Sequence, residues 1–485
     1  MEKVGEEGKV HILVIPFPDE QGHINPILQF SKRLAFKGLK VTLLNLLHEK
    51  NTTTYQLSCC SSLNSTINVL ERPRAPYNST EPESIESYMH RLKTSICFHL
   101  INLVTQYQNS NFPFSFVVYD SLMPWVLDLA RAFGLRGAPF FTQSCAVIAI
   151  FYHIIHGSFK IIPPVADQTT CVSSLLPGLP LDLHASDLPS LLLPDNNNPQ
   201  QNNNPFFLKL MIDQLHDLPE LMFVNSFHAL ETQVIEYLQS QMPLKMVGPT
   251  VPSILINKEL MDDDHDYGMN LINSTEDDNK KIMGWLNSKA RNSVIYVSLG
   301  TRISNLGEEQ MEELAWGLKA TNKPFLWVIK EPEFPNSFFE KEVKEMHGMV
   351  VKWCCQVLVL GHESVGCFMT HCGWNSVLEA ITCGVPMVAM PQWGEQMTNA
   401  KFVEDVWNVG VRVSTSKENG MIIVRREEIE LCVRKVMEGE KSHKLRQNGR
   451  RWMKLAKEAV MINENGTSDK NIHDFVTQLT NPQVY

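Results

Sequence analysis

Short apolar runs alternate with amphipathic stretches along most of this chain. Residues 10–15 (VHILVI) form a β-type run, and residues 41–47 form another. Between them, residues 26–37 carry apolar side chains at helical spacing, with Pro26 near the first turn and Gly38 as the stop. The order repeats downstream. A strand is predicted at 114–119, a helix at 125–133 ended by Gly134, and a short strand at 139–141. Strand–helix–strand alternation predicts a parallel sheet with helices on both faces.

The pattern loosens in the middle. Pro177-Gly-Leu-Pro180 is turn-rich, and residues 195–205 (DNNNPQQNNNP) are a polar, low-complexity surface loop. Order returns at 221–225 and 246–249. Residues 260–281, including Asp262-Asp-Asp-His-Asp266, offer little to bury and read as a linker. A second alternating series then begins, with strands expected at 294–299, 324–329, 365–370 and 386–389. Its helices are expected at 308–319, 375–383, 396–404 and 426–438, and an amphipathic tail at 442–479 closes the chain. The chain therefore reads as α/β, with two doubly wound domains joined near residues 250–280. A ligand is expected between them, outside the carboxyl ends of the strands.

Bulk properties narrow the function. A length of 485 residues exceeds what one core can hold. A net charge of -10 disfavours nucleic acid or an anionic membrane as the main partner. The 11 cysteines are odd in number, scattered, and include no CxxC pair. Reduced thiols and a cytoplasmic location follow. The run at 10–17 is broken by Pro16 and opens a first strand rather than a signal peptide. The later apolar run at 145–155 is too short to span a bilayer. No GxGxxG is present. Gly361 and Gly366 have P-loop spacing, but Cys367 stands where Lys is needed, so nicotinamide and ATP chemistry lose their fingerprints.

The most informative stretch is Trp353 to Gln396. Its strand at 365–370 runs into His371-Cys-Gly-Trp-Asn-Ser376 and then a helix. A strand, a glycine turn and a helix start make an anion site, because first-turn N–H groups point outward and the macrodipole adds positive potential. Asn375 and Ser376 can cap that helix, and His371 can donate to a diphosphate. The bland competitor is that Ser376-x-x-Glu379 is only a capping box. Zinc is a weaker competitor. Cys354, Cys355, His362, Cys367, His371 and Cys372 are dense but lack paired ligand spacing.

With Trp353, His371 to Ser376, Glu379 and Glu395-Gln396 in register, the chain resembles the plant secondary-product (family 1) UDP-glycosyltransferases. Gln21-Gly-His-Ile-Asn-Pro26, Tyr119-Asp-Ser121 with Pro124-Trp125, Gly248-Pro249 and Tyr296 to Thr301 extend the likeness over most of the chain. The resemblance implies a GT-B fold, two Rossmann-like domains facing across a cleft. It implies an acceptor-binding domain at 1–252, a linker at 253–280, a UDP-sugar-binding domain at 281–460, and a C-terminal helix at 461–485 packing back on the first domain. It also implies the donor contacts. Trp353 stacks on uracil, the Cys354 backbone reads its edge, Gln356 lies near the ribose, and Glu379 accepts from the ribose hydroxyls. His371, Asn375, Ser376 and Thr301 hold the diphosphate, while Trp374, Glu395 and Gln396 contact the sugar. The final Gln points to UDP-glucose as co-substrate, with no metal and no other cofactor.

His23 follows the first strand and Asp120 ends another, so both stand at carboxyl ends. An aspartate on one imidazole nitrogen fixes the tautomer and leaves the other as a general base. The family assigns these roles to the matching residues, in an inverting single displacement. Acceptor contacts are expected from Met123, Trp125, Phe141, Gln143 and Ser144, and from Trp393. An apolar pocket suits a lipophilic alcohol, phenol or acid. Resemblance to one subgroup points to triterpenoids, steroids, flavonoids or phenolics and small aromatic acids. A monomer with no membrane span is expected. The alternatives are an inactive nucleotide-sugar-binding protein and a transferase using another UDP-sugar.

Four departures from the family pattern stand out. The loop before His23 is one residue longer and more acidic, through Asp19 and Glu20. Glu395 replaces the commoner Asp, Cys355 stands where Pro is common, and Arg302 follows Thr301 where an apolar residue is typical.

Overall fold

A computed structural model describes residues 10–47, 53–60, 65–77, 83–157, 171–172, 176–180, 183–192, 204–252, 255, 276–300, 306–329, 347–418, 421–462 and 466–481. Thr301, Arg302, the loop at 195–203 and most of the expected linker lie outside these residues. The chain divides into two compact units. One comprises Met1–Lys160, Asn203–Leu271 and Glu458–Tyr485, and the other Ile161–Asn202 and Ile272–Lys457.

The first unit holds an eight-stranded sheet. Its strands are β1 (His11–Ile15), β2 (Lys40–Leu47), β3 (Thr53–Cys60), β4 (Ser65–Pro73), β5 (Phe114–Asp120), β6 (Arg136–Phe141), β7 (Met222–Val224) and β8 (Leu244–Met246). The order is β3-β4-β2-β1-β5-β6-β7-β8, parallel throughout except that β3 runs antiparallel to β4. Every residue of β1 is buried, as a strand covered on both faces requires. Phe30, Phe140 and Phe223 pack one face of the sheet. Phe475, from the terminal helix Thr467–Thr480, seats its ring 5.1 Å from Phe116 and 4.9 Å from Phe223.

The second unit holds six parallel strands. They are β9 (Val294–Ser298), β10 (Phe325–Val328), β11 (Gly348–Val351), β12 (Val365–Thr370), β13 (Met387–Ala389) and β14 (Gly410–Arg412), in the order β11-β10-β9-β12-β13-β14. Central β12 is buried at every position. Its pairing with β9 shifts register between Val365 and Cys367. A Cβ on Gly366 would lie 2.3 Å from the Asn292 carbonyl, so this glycine serves strand packing rather than a phosphate loop.

Several expectations change in detail. The first helix starts at Gln21, not near Pro26, so His23 sits in its first turn rather than in a loop. Pro26 lies inside this helix, which continues to Phe36 although proline has no N–H to offer the Gly22 carbonyl. The helix expected at 396–404 ends at Lys401 and passes into a π-helical turn, Phe402–Val406. The tail is two helices, Gly439–Ala459 and Thr467–Thr480. Residues 183–192, expected with the first domain, belong to the second unit. Arg412 Nη1 pairs with Asp187 Oδ1 at 2.6 Å, and Thr398 Oγ1 donates to the Asp187 carbonyl at 2.7 Å. No helix among the described residues is long and apolar enough to cross a membrane.

Candidate active site

In each sheet the strand order turns back at one point. In the second unit that point lies between β9 and β12, which end in register at Ser298 and Thr370. The carboxyl ends at such a switch leave a crevice for ligands. His371 is the first residue past β12. Its ring fills the space left by two glycines, since a Cβ on Gly300 would approach its Nε2 to 2.9 Å and one on Gly373 to 2.5 Å. Burial drives the ring's pKa down to about 4, and the Ser298 carbonyl opposes that shift. His371 is therefore neutral near pH 7, with a single ring N–H to donate, and is not a cation.

Cys372 turns the chain into the helix. It adopts φ of 63°, a left-handed conformation unusual for a side chain other than glycine. The turn is held on both sides. Thr370 Oγ1 accepts from the Cys372 N–H at 3.1 Å, and Asn399 Nδ2 donates to the Cys372 carbonyl at 3.0 Å. The helix is Trp374–Cys383, with Gly373 as its N-cap and no side-chain cap. The N–H groups of Trp374, Asn375 and Ser376 precede the first intrahelical bond, from Val377 to Gly373 at 3.1 Å. That is the geometry of an anion site.

Ser376 and Glu379 do not close the capping box. Gln356 bridges them instead, its Nε2 donating to Ser376 Oγ at 3.0 Å and to Glu379 Oε2 at 2.6 Å. Gln356 Oε1 accepts in turn from the Tyr296 hydroxyl at 3.1 Å, and that hydroxyl lies 3.4 Å from Cys354 Sγ. Burial pushes the Tyr296 hydroxyl well above its ordinary pKa and the Cys354 thiol up to about 12, so both stay protonated. The Cys354 side chain faces inward. Trp353, half-buried just past β11, is the aromatic nearest the start of this network along the chain.

Trp374 departs from expectation. Its indole is 2% exposed and packs on Trp407, so the helix start offers backbone rather than ring. Gln396 Oε1 accepts from the N–H groups of Gln392 and Trp393 at 2.9 and 3.0 Å, which leaves its amide nitrogen as the donating end. Half-buried Glu395 precedes it. Segment 183–192 braces this loop. Gly394 donates to Ser190 Oγ at 2.7 Å, and Ser190 N–H donates back to the Gly394 carbonyl at 2.9 Å.

In the first unit the order turns back between β1 and β5. His23 and Asp120 stand at these two carboxyl ends. His23 Nδ1 lies 2.7 Å from Asp120 Oδ2, and Asp120 is wholly buried. The other oxygen, Oδ1, accepts from the Leu122 N–H at 3.0 Å. A carboxylate only accepts, so Nδ1 carries the proton and Nε2 the lone pair. Thr142 Oγ1 sits 3.3 Å from Nδ1, and the Phe17 ring packs 5.6 Å from the imidazole.

Comparison with known proteins agrees with this geometry. The family model described as "UDP-glucoronosyl and UDP-glucosyl transferase" matches residues 255–446. A mogroside I-E synthase from Siraitia grosvenorii is 43% identical over 480 residues, covering 98% of this chain and 99% of that one. UDP-glycosyltransferase 74E2 of Arabidopsis thaliana is 44% identical over 473 residues, covering 96% and 98%. The chain is a plant family-1 UDP-glycosyltransferase. A crystal structure of Os79 from O. sativa in complex with UDP superposes with a TM-score of 0.81 at 34% identity, over 96% of this chain and 100% of that one. The fold of this glycosyltransferase is accordingly GT-B, and glycosyl transfer from a UDP-sugar to a small-molecule acceptor is its activity.

The residues expected to touch acceptor in this UDP-glycosyltransferase divide into two groups. Met123 and Phe141 are fully buried core, and the Ser144 hydroxyl caps the helix Cys145–Ile155 by accepting from the Val147 N–H. Trp125, Gln143 and Trp393 remain half-buried, with Gln143 Oε1 accepting from Ser121 Oγ at 3.4 Å. Three supporting residues escaped sequence reasoning: Tyr296, Thr142 and Ser190. Tyr296 and Thr142 lay inside stretches that carry the family likeness, whereas Ser190 carried no local signal. No group of three or more His, Cys, Asp or Glu among the described residues is placed to hold a metal ion.

Burial lowers the pKa of His11, His99 and His371, and the two largest of these shifts make stability fall in acid. His11 is driven from 6.5 to about 4 by burial, like His371. Both rings are neutral when folded, so their contribution is whole above about pH 6.5 and is lost as pH falls toward about 4. Urea unfolding of wild type should lose on the order of 2 kcal/mol per ring between about pH 7 and about pH 5. In His11→Gln the loss should be smaller by one ring's share. Equal slopes would contradict the assignment.

Proposed function

We propose that this enzyme transfers glucose from UDP-glucose, with inversion, to a hydroxyl or carboxyl of a lipophilic acceptor. The observation that carries the reading is the 2.7 Å contact between His23 Nδ1 and a wholly buried Asp120. His23 Nε2 takes the acceptor's proton while the acceptor oxygen forms its bond to the anomeric carbon. The bond from that carbon to the diphosphate oxygen breaks, and its electron pair leaves with UDP. No protein nucleophile takes part. The second unit holds the donor. In this reading Trp353 stacks on the base, Gln356 and Glu379 meet the ribose, and Glu395 and Gln396 meet the sugar. Neutral His371 and the helix start at Trp374–Ser376 hold the diphosphate as negative charge grows on it. Thr301 is assigned to the same diphosphate by family likeness. Holding by N–H donors supports a reaction that needs no metal.

The acceptor belongs to the range of triterpenoids, steroids, flavonoids or phenolics and aromatic acids. Similarity to a mogroside synthase supports its triterpenoid side. The protein acts as a cytoplasmic monomer in this reading. The test combines UDP-glucose, UDP-galactose and UDP-glucuronate with a panel of such acceptors, reading UDP release and the anomeric configuration by NMR. A β-glucoside made from the α-linked donor is expected. An α-product, a preference for another UDP-sugar, or binding without turnover would overturn the reading.

A further inference from the structure

Two acidic residues, Asp19 and Glu20, lead into the helix that carries His23. Asp19 has φ of 64°, a left-handed conformation held by a residue other than glycine. Its carboxylate forms an ion pair with the guanidinium of Arg74, whose side chain is 1% exposed. Arg74 Nη1 also donates to the Tyr88 hydroxyl at 2.9 Å, and the guanidinium carbon lies 5.4 Å from the Tyr88 ring centre. The Tyr88 ring packs on Phe17, centroids 6.4 Å apart, and Phe17 packs on His23. Arg74 is anchored to the sheet, its N–H donating to the Leu47 carbonyl at 3.0 Å at the end of β2. On the other side of Asp19, the Glu20 carbonyl accepts from the N–H groups of His23 and Ile24 at 2.9 and 3.0 Å. Asp19 therefore stands one residue before the helix turn that carries the imidazole.

We infer that Asp19, Arg74 and Tyr88 form an anchor that sets the pose of His23. Asp19 ties the start of the first helix to a buried arginine at the carboxyl edge of the sheet. Phe17, tilted against Tyr88, packs on the imidazole and joins it to the same cluster. Asp120 fixes one ring nitrogen, and the anchor fixes the backbone from which the ring hangs. Asp19 and Arg74 are thus positioning residues, since they reach the chemistry only through His23. A misplaced base loses rate steeply, because proton transfer depends on sub-ångström geometry. The inference rests on the proposed role of His23 as base.

The test compares wild type with Asp19→Asn, Asp19→Glu and His23→Ala, with UDP-glucose and an acceptor taken from the panel above. Asparagine tolerates the left-handed backbone but lacks the charge. Asp19→Asn should lower kcat about tenfold. Its KM for UDP-glucose should stay within about twofold, and Asp19→Glu should recover part of the rate. A purely structural role would instead lower the melting temperature and leave the kcat of the folded fraction unchanged. That outcome, or wild-type kcat in Asp19→Asn while His23→Ala is inactive, overturns the anchor and spares the base. Wild-type turnover in His23→Ala removes the base assignment and the anchor with it.

Discussion

His23→Ala is expected to lower kcat/KM for the acceptor by about 10²–10⁴-fold while UDP affinity stays near wild type. The effect is large because the imidazole is the group that a buried carboxylate holds for proton transfer at this switch point. Asp120 is buried and spends its two oxygens on His23 and Leu122, so it cannot replace the base without losing one of them. Removing the ring leaves that carboxylate short of a donor, which costs about 1–3 kcal/mol of stability. Melting curves taken alongside kinetics separate this cost from catalysis. Asp120→Asn should fall by a comparable factor, since an amide N–H facing Nδ1 favours the tautomer whose proton sits on Nε2. Isothermal titration with UDP supplies the control. Turnover within a few-fold of wild type in His23→Ala, with UDP binding intact, would rule out the proposed base.

Glu379→Ala should weaken UDP binding by on the order of 10²-fold, the worth of two charge-assisted hydrogen bonds to a ribose diol. The carboxylate is 5% exposed and is oriented by Gln356 Nε2 at 2.6 Å. Gln356 is itself aimed by the buried Tyr296 hydroxyl, which stays protonated because burial disfavours its phenolate. Truncation at Glu379 therefore removes the acceptor proposed for the ribose and releases Gln356 from its carboxylate partner. Calorimetry with UDP, uridine and inorganic diphosphate discriminates the cause. UDP and uridine should weaken alike, whereas displacement by diphosphate should not change. Affinity for UDP within about threefold of wild type would refute the ribose assignment.

Much of the fold was legible because buried parallel strands write themselves as apolar runs. β1, β5, β9 and β12 were each anticipated within a residue or two of their bounds. Helix ends were less legible. The stop at Gly384 follows from its left-handed φ of 69°, a conformation glycine announces in sequence. The start at Gln21 did not announce itself, because no side chain caps it and Pro26 mimics a first-turn proline. The capping box at Ser376 and Glu379 failed for a related reason. Spacing states which partners are within reach, but Gln356, 20 and 23 residues away, outcompeted them.

The linear chain by itself determined the two α/β units, the glycine turn that opens the helix after β12 and the identity of the residues bearing titratable or hydrogen-bonding groups. Those depend on local periodicity and on chemistry each residue carries alone. Only tertiary structure decided which of those groups meet. It paired His23 with Asp120, buried the ring of Trp374, turned Met123, Phe141 and Ser144 inward, and anchored Asp19 on Arg74. Such pairings join residues tens of positions apart. They are fixed by strand order and by the packing of neighbours, and neither leaves a local trace along the chain.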